Sequence, residues 1–200
     1  MRRMLMVTAS VTLLGLTACD RSPPTSPDVP AAKAAAATTT PSADAELDQL
    51  KTVTPVDACA LLTPEKLAAV FQNLKFEVHQ KLDPQMSGYV WDSRCVYWAG
   101  VGTYDFAKDA PTHTVDIFIA TSVSEAKAKA NLASRHEMAT TTSGYQAQAA
   151  LGEHAYTTTN TGMASLFFVK GQSEVQINVS NLKSPNDEKV KQVLAIAQSL

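Results

Sequence analysis

The sequence lacks the motifs that usually identify a reaction centre. It contains no Gly-x-Ser-x-Gly nucleophile turn, and its eight glycines form no Gly-rich phosphate-binding loop. No two of the four histidines have His-x-His or i,i+4 spacing. Each of the three cysteines has another role, described below, so no cysteine is available as a zinc ligand. We therefore predict no catalytic residue, no metal and no cofactor.

The chain also lacks an excess of positive charge. It carries 17 basic and 19 acidic residues, a formal net charge of −2. Binding to nucleic acid depends on clustered Lys and Arg side chains, so this mildly acidic composition argues against a nucleic-acid partner.

An uncharged stretch near the N-terminus, residues 4–18, is too short for a membrane span, which needs ~20 apolar residues. It follows Arg2 and Arg3 and ends in Leu-Thr-Ala before Cys19, an order that resembles a bacterial lipobox. We expect a lipoprotein signal peptide over residues 1–18 and lipidation of Cys19. The alternative is an ordinary signal peptide with a chance cysteine.

A tether is expected to follow the lipidated residue. Half of the ten prolines lie between positions 23 and 41, among Ala and Thr runs that have little to bury. We predict a disordered Pro/Ala/Thr-rich tether over residues 19–52 and a periplasmic domain over residues 53–200. The lipid would hold this domain on a membrane of the cell envelope, facing the periplasm or the outside. Asp20 slightly favours the inner membrane.

The two other cysteines, Cys59 and Cys95, are left as a pair. In an oxidising compartment we expect them to form a disulfide bond. The alternative is two buried free thiols.

Hydrophobic periodicity predicts one α+β domain. The predicted helices cover residues 64–72, 125–138 and the segment after Ser184, and the predicted strands cover residues 75–80, 94–99, 113–120, 153–158, 164–170 and 174–180. Short loops between strands favour antiparallel pairing. We predict a single antiparallel sheet packed with helices, an α/β/α sandwich.

Two further predictions concern side-chain direction. The second long helix, opened by a capping box at Ser122-Val-Ser-Glu125, should pack through Ala126, Ala130 and Ala133. The last strand should turn Val175, Ile177 and Val179 inward and Glu174, Gln176, Asn178 and Ser180 outward.

Three segments carry a resemblance to a known family. They are Asp57-Ala-Cys-Ala-Leu-Leu-Thr-Pro-Glu65, Cys95-Val-Tyr-Trp98 and Leu151-Gly-Glu-His-Ala-Tyr156. Over residues 56–199 the chain resembles an uncharacterised lipoprotein family best known from actinobacteria, although Ala58 stands where that family often has Pro. The resemblance implies a PsbP-like sandwich and supplies no catalytic residues.

Aromatic residues are concentrated between positions 89 and 106, which hold six of the thirteen, including both Trp. The favoured interpretation is core packing beside the disulfide. The alternative is an aromatic groove for an envelope protein, peptide or glycan, with four candidate ligand contacts: Tyr89, Trp91, Trp98 and Tyr104. We accordingly predict a non-catalytic binding or accessory domain. The alternative functions are an envelope hydrolase that uses scattered His and acidic residues, and a purely structural role.

The lipobox generates a first testable prediction. Cys19→Ala should abolish incorporation of lipid, because only the Cys thiol accepts diacylglycerol. Metabolic labelling with a radioactive fatty acid, followed by gel autoradiography, measures this in cells that express the wild type and the variant. A wild-type protein that takes up no label would contradict the lipoprotein interpretation.

Overall fold

One seven-stranded sheet organises the part of the chain that the computed structural model describes, residues 42–200 except Asn73, residues 101–111 and Leu182. The strand order is β1-β2-β3-β7-β6-β5-β4, and every adjacent pair is antiparallel. The bounds are β1 (Phe76–Ser87), β2 (Val90–Ala99), β3 (His113–Thr121), β4 (Gln146–Ala147), β5 (Tyr156–Asn160), β6 (Met163–Lys170) and β7 (Ser173–Ser180). The predicted α+β fold with one antiparallel sheet is confirmed. Cys19, the signal peptide and Tyr104 lie outside the described residues.

Five helices accompany the sheet in the described part of the chain. They are α1 (Ala43–Leu50), α2 (Ala58–Leu61), α3 (Pro64–Val70), α4 (Glu125–Ala139) and α5 (Asn186–Ser199). Helix α3 begins as its sequence predicts, with a Thr63 cap and Pro64 in the first turn. Helix α4 is capped by Ser124, whose hydroxyl accepts from the Lys127 amide, rather than by Ser122. Within residues 42–200, no described helix is both long and apolar enough to cross a membrane.

Helices pack on both faces of the sheet. The core face carries Cys95, Ile117, Leu166 and Ile177 and is covered by α2, α3 and α5. The outer face carries the alternate residues of the same strands, and α4 packs there through Leu132 against the aromatic residues Tyr156 and Phe167. Because successive side chains of a strand point to opposite sides, each strand contributes to both layers. The arrangement is consistent with the predicted sandwich.

The core face of β2 holds the segment before α3. The Cys95 sulfur is bonded to that of Cys59, so the predicted disulfide is present. Two residues before it, the Ser93 hydroxyl accepts from the Ala58 amide at 3.1 Å and donates to the Val56 carbonyl at 2.7 Å. Two residues after it, the buried Tyr97 hydroxyl donates to the Leu62 carbonyl. Three alternate residues of one strand thus fix α2 against the sheet.

Helix α1 lies within residues 19–52, which the sequence assigned to the tether. Its Leu50 is fully buried, and the Trp91 indole Nε1 donates to the Leu50 carbonyl at 3.0 Å. Glu46 forms an ion pair with Lys127 of α4 at 2.8 Å. Ordered structure therefore begins before residue 53, because α1 is capped by Ser42 and packs its last residue on the domain.

The prediction for the inner face of α4 is wrong. Ala126 and Ala130 are exposed and Ala133 is only partly buried, whereas Ala128, Leu132 and Ala139 are buried. The physical reason is Leu132, the largest apolar side chain on the buried side. Its burial removes more apolar surface from water than that of any alanine, and it sets the rotation of the helix.

The disulfide generates a second prediction. Replacement of Cys59 and Cys95 by Ala should lower the free energy of unfolding by about 3–4 kcal/mol, because the bond closes a loop with a sequence separation of 36. Urea unfolding followed by circular dichroism measures it. Reduced wild type serves as the control and should resemble the variant. Equal stability of oxidised and reduced wild type would contradict the proposed contribution.

Candidate functional site

The strand register places two acidic residues on either side of a small one. On the outer face, Asp92 of β2 pairs with Ala120 of β3, and Ala120 pairs with Glu174 of β7. Adjacent strands lie about 4.8 Å apart, so the two acidic residues stand roughly 10 Å apart at their backbones. The Ala120 methyl group fills little of the space between the two carboxylates.

Helix α4 closes this space from above and forms a cavity of about 390 Å³, here called the α4 cleft. The strands supply its floor, including the aromatic ring of Phe118, and α4 supplies three polar side chains. The lining residues are Val90, Asp92, Phe118, Ala120, Asn131, Ser134, Arg135 and Glu174. The cleft therefore combines two carboxylates, one guanidinium, polar groups and apolar surface.

Glu174 is the most deeply buried charged group of the cleft, with 4% of its surface exposed. Its Oε1 is enclosed and forms an ion pair with the Arg135 guanidinium at 2.8 Å. Burial raises the pKa of the Glu174 carboxyl, and the charge of Arg135 opposes this shift. Glu174 points to the outer face as predicted, but it is buried there because α4 covers this part of β7.

Asp92 is the second acid and is only half-buried. Burial raises the pKa of its carboxyl, while a hydrogen bond from Ser87 and the charge of Arg135 oppose the shift. No cation of the described residues lies within ion-pair distance of Asp92, whereas Asp116 on the same face is held by both Arg94 Nε at 2.9 Å and Arg94 Nη2 at 2.8 Å. Asp92 is thus the acid of this face that lacks a direct cationic partner.

The predicted aromatic contacts do not come together. Tyr89 lies in the β1–β2 turn with 47% of its surface exposed, Trp91 is on the core face beside α1, and Trp98 is on the outer face, stacked on His79 with ring centroids 3.2 Å apart. None of these three lines the α4 cleft, although Tyr89 directly precedes Val90, which does. Their role as ligand contacts stays a prediction.

The histidines are also dispersed. The ring of His113 accepts a hydrogen bond from the Asn181 amide at 2.6 Å, and His136 Nε2 lies 2.7 Å from the Tyr145 hydroxyl. The ring of His154 is 5.5 Å from that of His136. None of these histidines lines the α4 cleft. Among the described residues, no three His, Cys, Asp or Glu side chains group as a metal site would require.

Two larger cavities have a different character. One of about 430 Å³ lies on the other side of α4 and is mainly apolar, with Leu132, Leu151 and Val169 in its wall. One of about 450 Å³ lies between α3 and α5, and its charged residues Glu188 and Lys191 are exposed. Of these three cavities, the α4 cleft is the one lined by a buried charged side chain, that of Glu174, so we select it on charge rather than on size. Ionisable groups whose pKa is shifted by burial are typical of binding and active sites.

Sequence reasoning missed all three charged residues of the cleft. Asp92, Arg135 and Glu174 are far apart in the chain and follow no motif. The sequence placed Glu174 in a cleanly alternating strand, which fixes the face of the sheet to which it points. Which residues lie beside Glu174 depends on the strand order, which the sequence does not show.

Comparison with solved structures gives a similar fold. The extracellular domain of PknH from Mycobacterium tuberculosis superposes with a TM-score of 0.52 and 12% sequence identity, over 72% of this chain and 96% of that chain. At this identity the likeness shows the fold alone. No family model matches the chain, and no curated protein does. Membership of the actinobacterial lipoprotein family therefore stays a prediction.

The raised pKa values of the two acids generate a third prediction. An acid whose pKa is higher in the folded than in the unfolded state binds protons on folding, so its burial costs least at low pH. As the pH falls from 7 through the raised pKa values towards the ordinary values of 3.8 and 4.5, wild type should gain stability relative to the Asp92→Asn/Glu174→Gln double variant. Urea unfolding at a series of pH values measures the difference.

The matched control for this pH series is Glu137→Gln, which removes an exposed acid of helix α4. It should leave the pH dependence of wild type unchanged. Parallel stability profiles for wild type and the double variant would show that neither carboxyl is strained by burial.

Proposed function

We propose that this chain is a lipid-anchored envelope protein whose domain binds a small ligand in the α4 cleft without transforming it. The observation that carries the proposal is that one cleft brings together the buried carboxylate of Glu174 and the half-buried carboxylate of Asp92, which has no direct cationic partner among the described residues. Burial of a carboxylate costs stability, and ionisable groups whose pKa is shifted by burial cluster at functional sites. A cavity of about 390 Å³ has the volume of a small-molecule site.

Three features support the envelope location. The lipobox at Cys19 would supply the anchor, and the Pro/Ala/Thr-rich stretch after it would let the domain stand away from the membrane. A disulfide such as Cys59–Cys95 persists in oxidising compartments, not in the cytosol. The fold is similar to that of a domain described as extracellular.

Hydrolysis is the second candidate function. Two acids with raised pKa values on either side of a gap resemble the carboxylate pair of glycoside hydrolases. The α4 cleft favours binding instead, because Arg135 contacts Glu174 and works against its protonation, which a general acid needs. Turnover of a chromogenic glycoside by the wild type, lost in Glu174→Gln, would favour hydrolysis.

One of the aromatic candidates is the sequence neighbour of a residue that lines the cleft. Tyr89 is exposed beside Val90, and an exposed tyrosine next to a cavity provides contact area at low entropic cost. We propose Tyr89 as a rim contact. Trp98, stacked on His79, does not line the cleft, so it would form a separate contact surface.

The cleft generates a fourth prediction. Ala120→Leu should abolish binding, because the added atoms enter the space between Asp92 and Glu174. Ligand-observed NMR of the full chain against a library of amines, sugars, amino acids and small acids measures it. At least one class of compound should bind the wild type and fail to bind the Ala120→Leu variant.

The control is Ala130→Leu, an exposed position of α4 that lines the neighbouring apolar cavity. It should leave binding unchanged. Thermal unfolding of both variants checks that they remain folded. If Ala120→Leu is unfolded, Ala120→Val places a smaller side chain in the same space. Binding that survives the filling of the cleft, or a library without any binder, would overturn the proposed site.

A further inference from the structure

The charges of the α4 cleft do not balance. Asp92 and Glu174 contribute two negative charges when ionised, and Arg135 contributes one positive charge. Arg135 lies 2.8 Å from Glu174, and no described cation lies within ion-pair distance of Asp92. With every group ionised, the cleft carries one uncompensated negative charge. Placing an opposite charge there would relieve the cost of burying the carboxylates.

The carboxylate of Asp92 is the acidic group of the cleft that is left for a ligand. It is half-buried and, among the described residues, no cation lies within ion-pair distance of it, whereas Glu174 Oε1 is enclosed and lies 2.8 Å from the Arg135 guanidinium. An ionised carboxylate can only accept hydrogen bonds, so the group that binds Asp92 is a donor. An ammonium group offers three hydrogen-bond donors together with the positive charge that the cleft lacks. Hydrogen bonds between charged groups are stronger than those between neutral groups.

We infer that the α4 cleft binds a small organic ammonium ion, which lies between Asp92 and Glu174 above Ala120. This inference rests on the proposed function and names the ligand class of that site. Phe118 in the floor adds an aromatic ring, whose face attracts cations, and Val90 adds apolar surface for the carbon part of the ligand.

A bare inorganic cation fits this site less well. Calcium takes six to eight oxygen ligands, whereas the cleft presents two carboxylates on strands separated by a third. The cavity of about 390 Å³ and its apolar wall match an organic molecule instead. An anionic ligand would meet both carboxylates at close range, and Arg135 already contacts one of them.

The test uses three four-carbon probes whose end groups are cationic, neutral or anionic. Isothermal titration calorimetry of the full chain is carried out with 1,4-diaminobutane, 1,4-butanediol and succinate. We expect the diamine alone to bind, and to bind more weakly as sodium chloride is added, because salt screens the attraction. Asp92→Asn and Glu174→Gln should each weaken diamine binding roughly tenfold or more, since each removes a charged acceptor.

The matched control is Asp116→Asn, which removes the same charge from the same face of the sheet. Asp116 already accepts two hydrogen bonds from Arg94 and does not line the cleft, so this variant should bind the diamine like wild type. Thermal unfolding confirms that each variant is folded. An equal loss in Asp116→Asn would show that general surface charge, and not the cleft, attracts the diamine.

The other outcomes separate the ligand class from the site. Binding of the diol or of succinate that is lost on filling the cleft with Ala120→Leu would overturn the ammonium class while the proposed site stands. Displacement of the diamine by calcium at equal concentration would assign the site to an inorganic cation. No binding of the diamine up to about 10 mM would overturn the inference. If Ala120→Leu also changed the binding of no library compound, the proposed function would fail with it.

Discussion

Strand β2 contributes side chains to both faces of the sheet, one packed against α2 and the other beneath α4, and the rest of the structure depends on this constraint. Its residues Ser93, Cys95 and Tyr97 hold the α2 segment by three hydrogen bonds and a covalent bond. The residues that alternate with them point to the outer face, where Asp92 reaches the α4 cleft. Because side-chain direction alternates strictly, anchoring one side of β2 to α2 also fixes where Asp92 points. The disulfide therefore supports the register on which the candidate site is built.

Helix α4 turns that sheet face into a cavity. Its apolar contact through Leu132 is made against Tyr156 and Phe167, towards the β5 side of the sheet. The polar residues Asn131, Ser134 and Arg135 then overhang the row that contains Ala120. Beside the helix, the outer face carries the Arg94–Asp116 pair, which is internally satisfied. The satisfied Arg94–Asp116 pair thus adjoins the cleft, in which Asp92 has no direct cationic partner among the described residues.

Local patterns predicted helices α3, α4 and α5 and every described strand except β4, but they missed α1 and α2 and did not predict where the elements end. Strands β3 and β7 alternate cleanly, and Thr63-Pro64 begins α3 as expected. Strand β1 is longer than predicted because its second half, which includes Pro84, lies at the sheet edge, where a missing amide donor is tolerated. The predicted inner face of α4 was wrong because the prediction followed a stripe of alanines. The helix instead buries the face that contains Leu132, its largest apolar contact with the sheet. Propensity locates a helix, but packing sets its rotation.

The sequence by itself determined the fold class, the Cys59–Cys95 pairing and the absence of a recognisable catalytic motif. These depend on local periodicity, on cysteine arithmetic and on fixed spacings, all of which can be read along the chain. Only the tertiary structure decided that Asp92, Arg135 and Glu174 meet. Their meeting requires the strand order β2-β3-β7, in which β7 is distant in sequence from β3, and a helix laid across it. Strand order is a global property, because each pairing depends on which faces the other elements bury, and no local pattern encodes it.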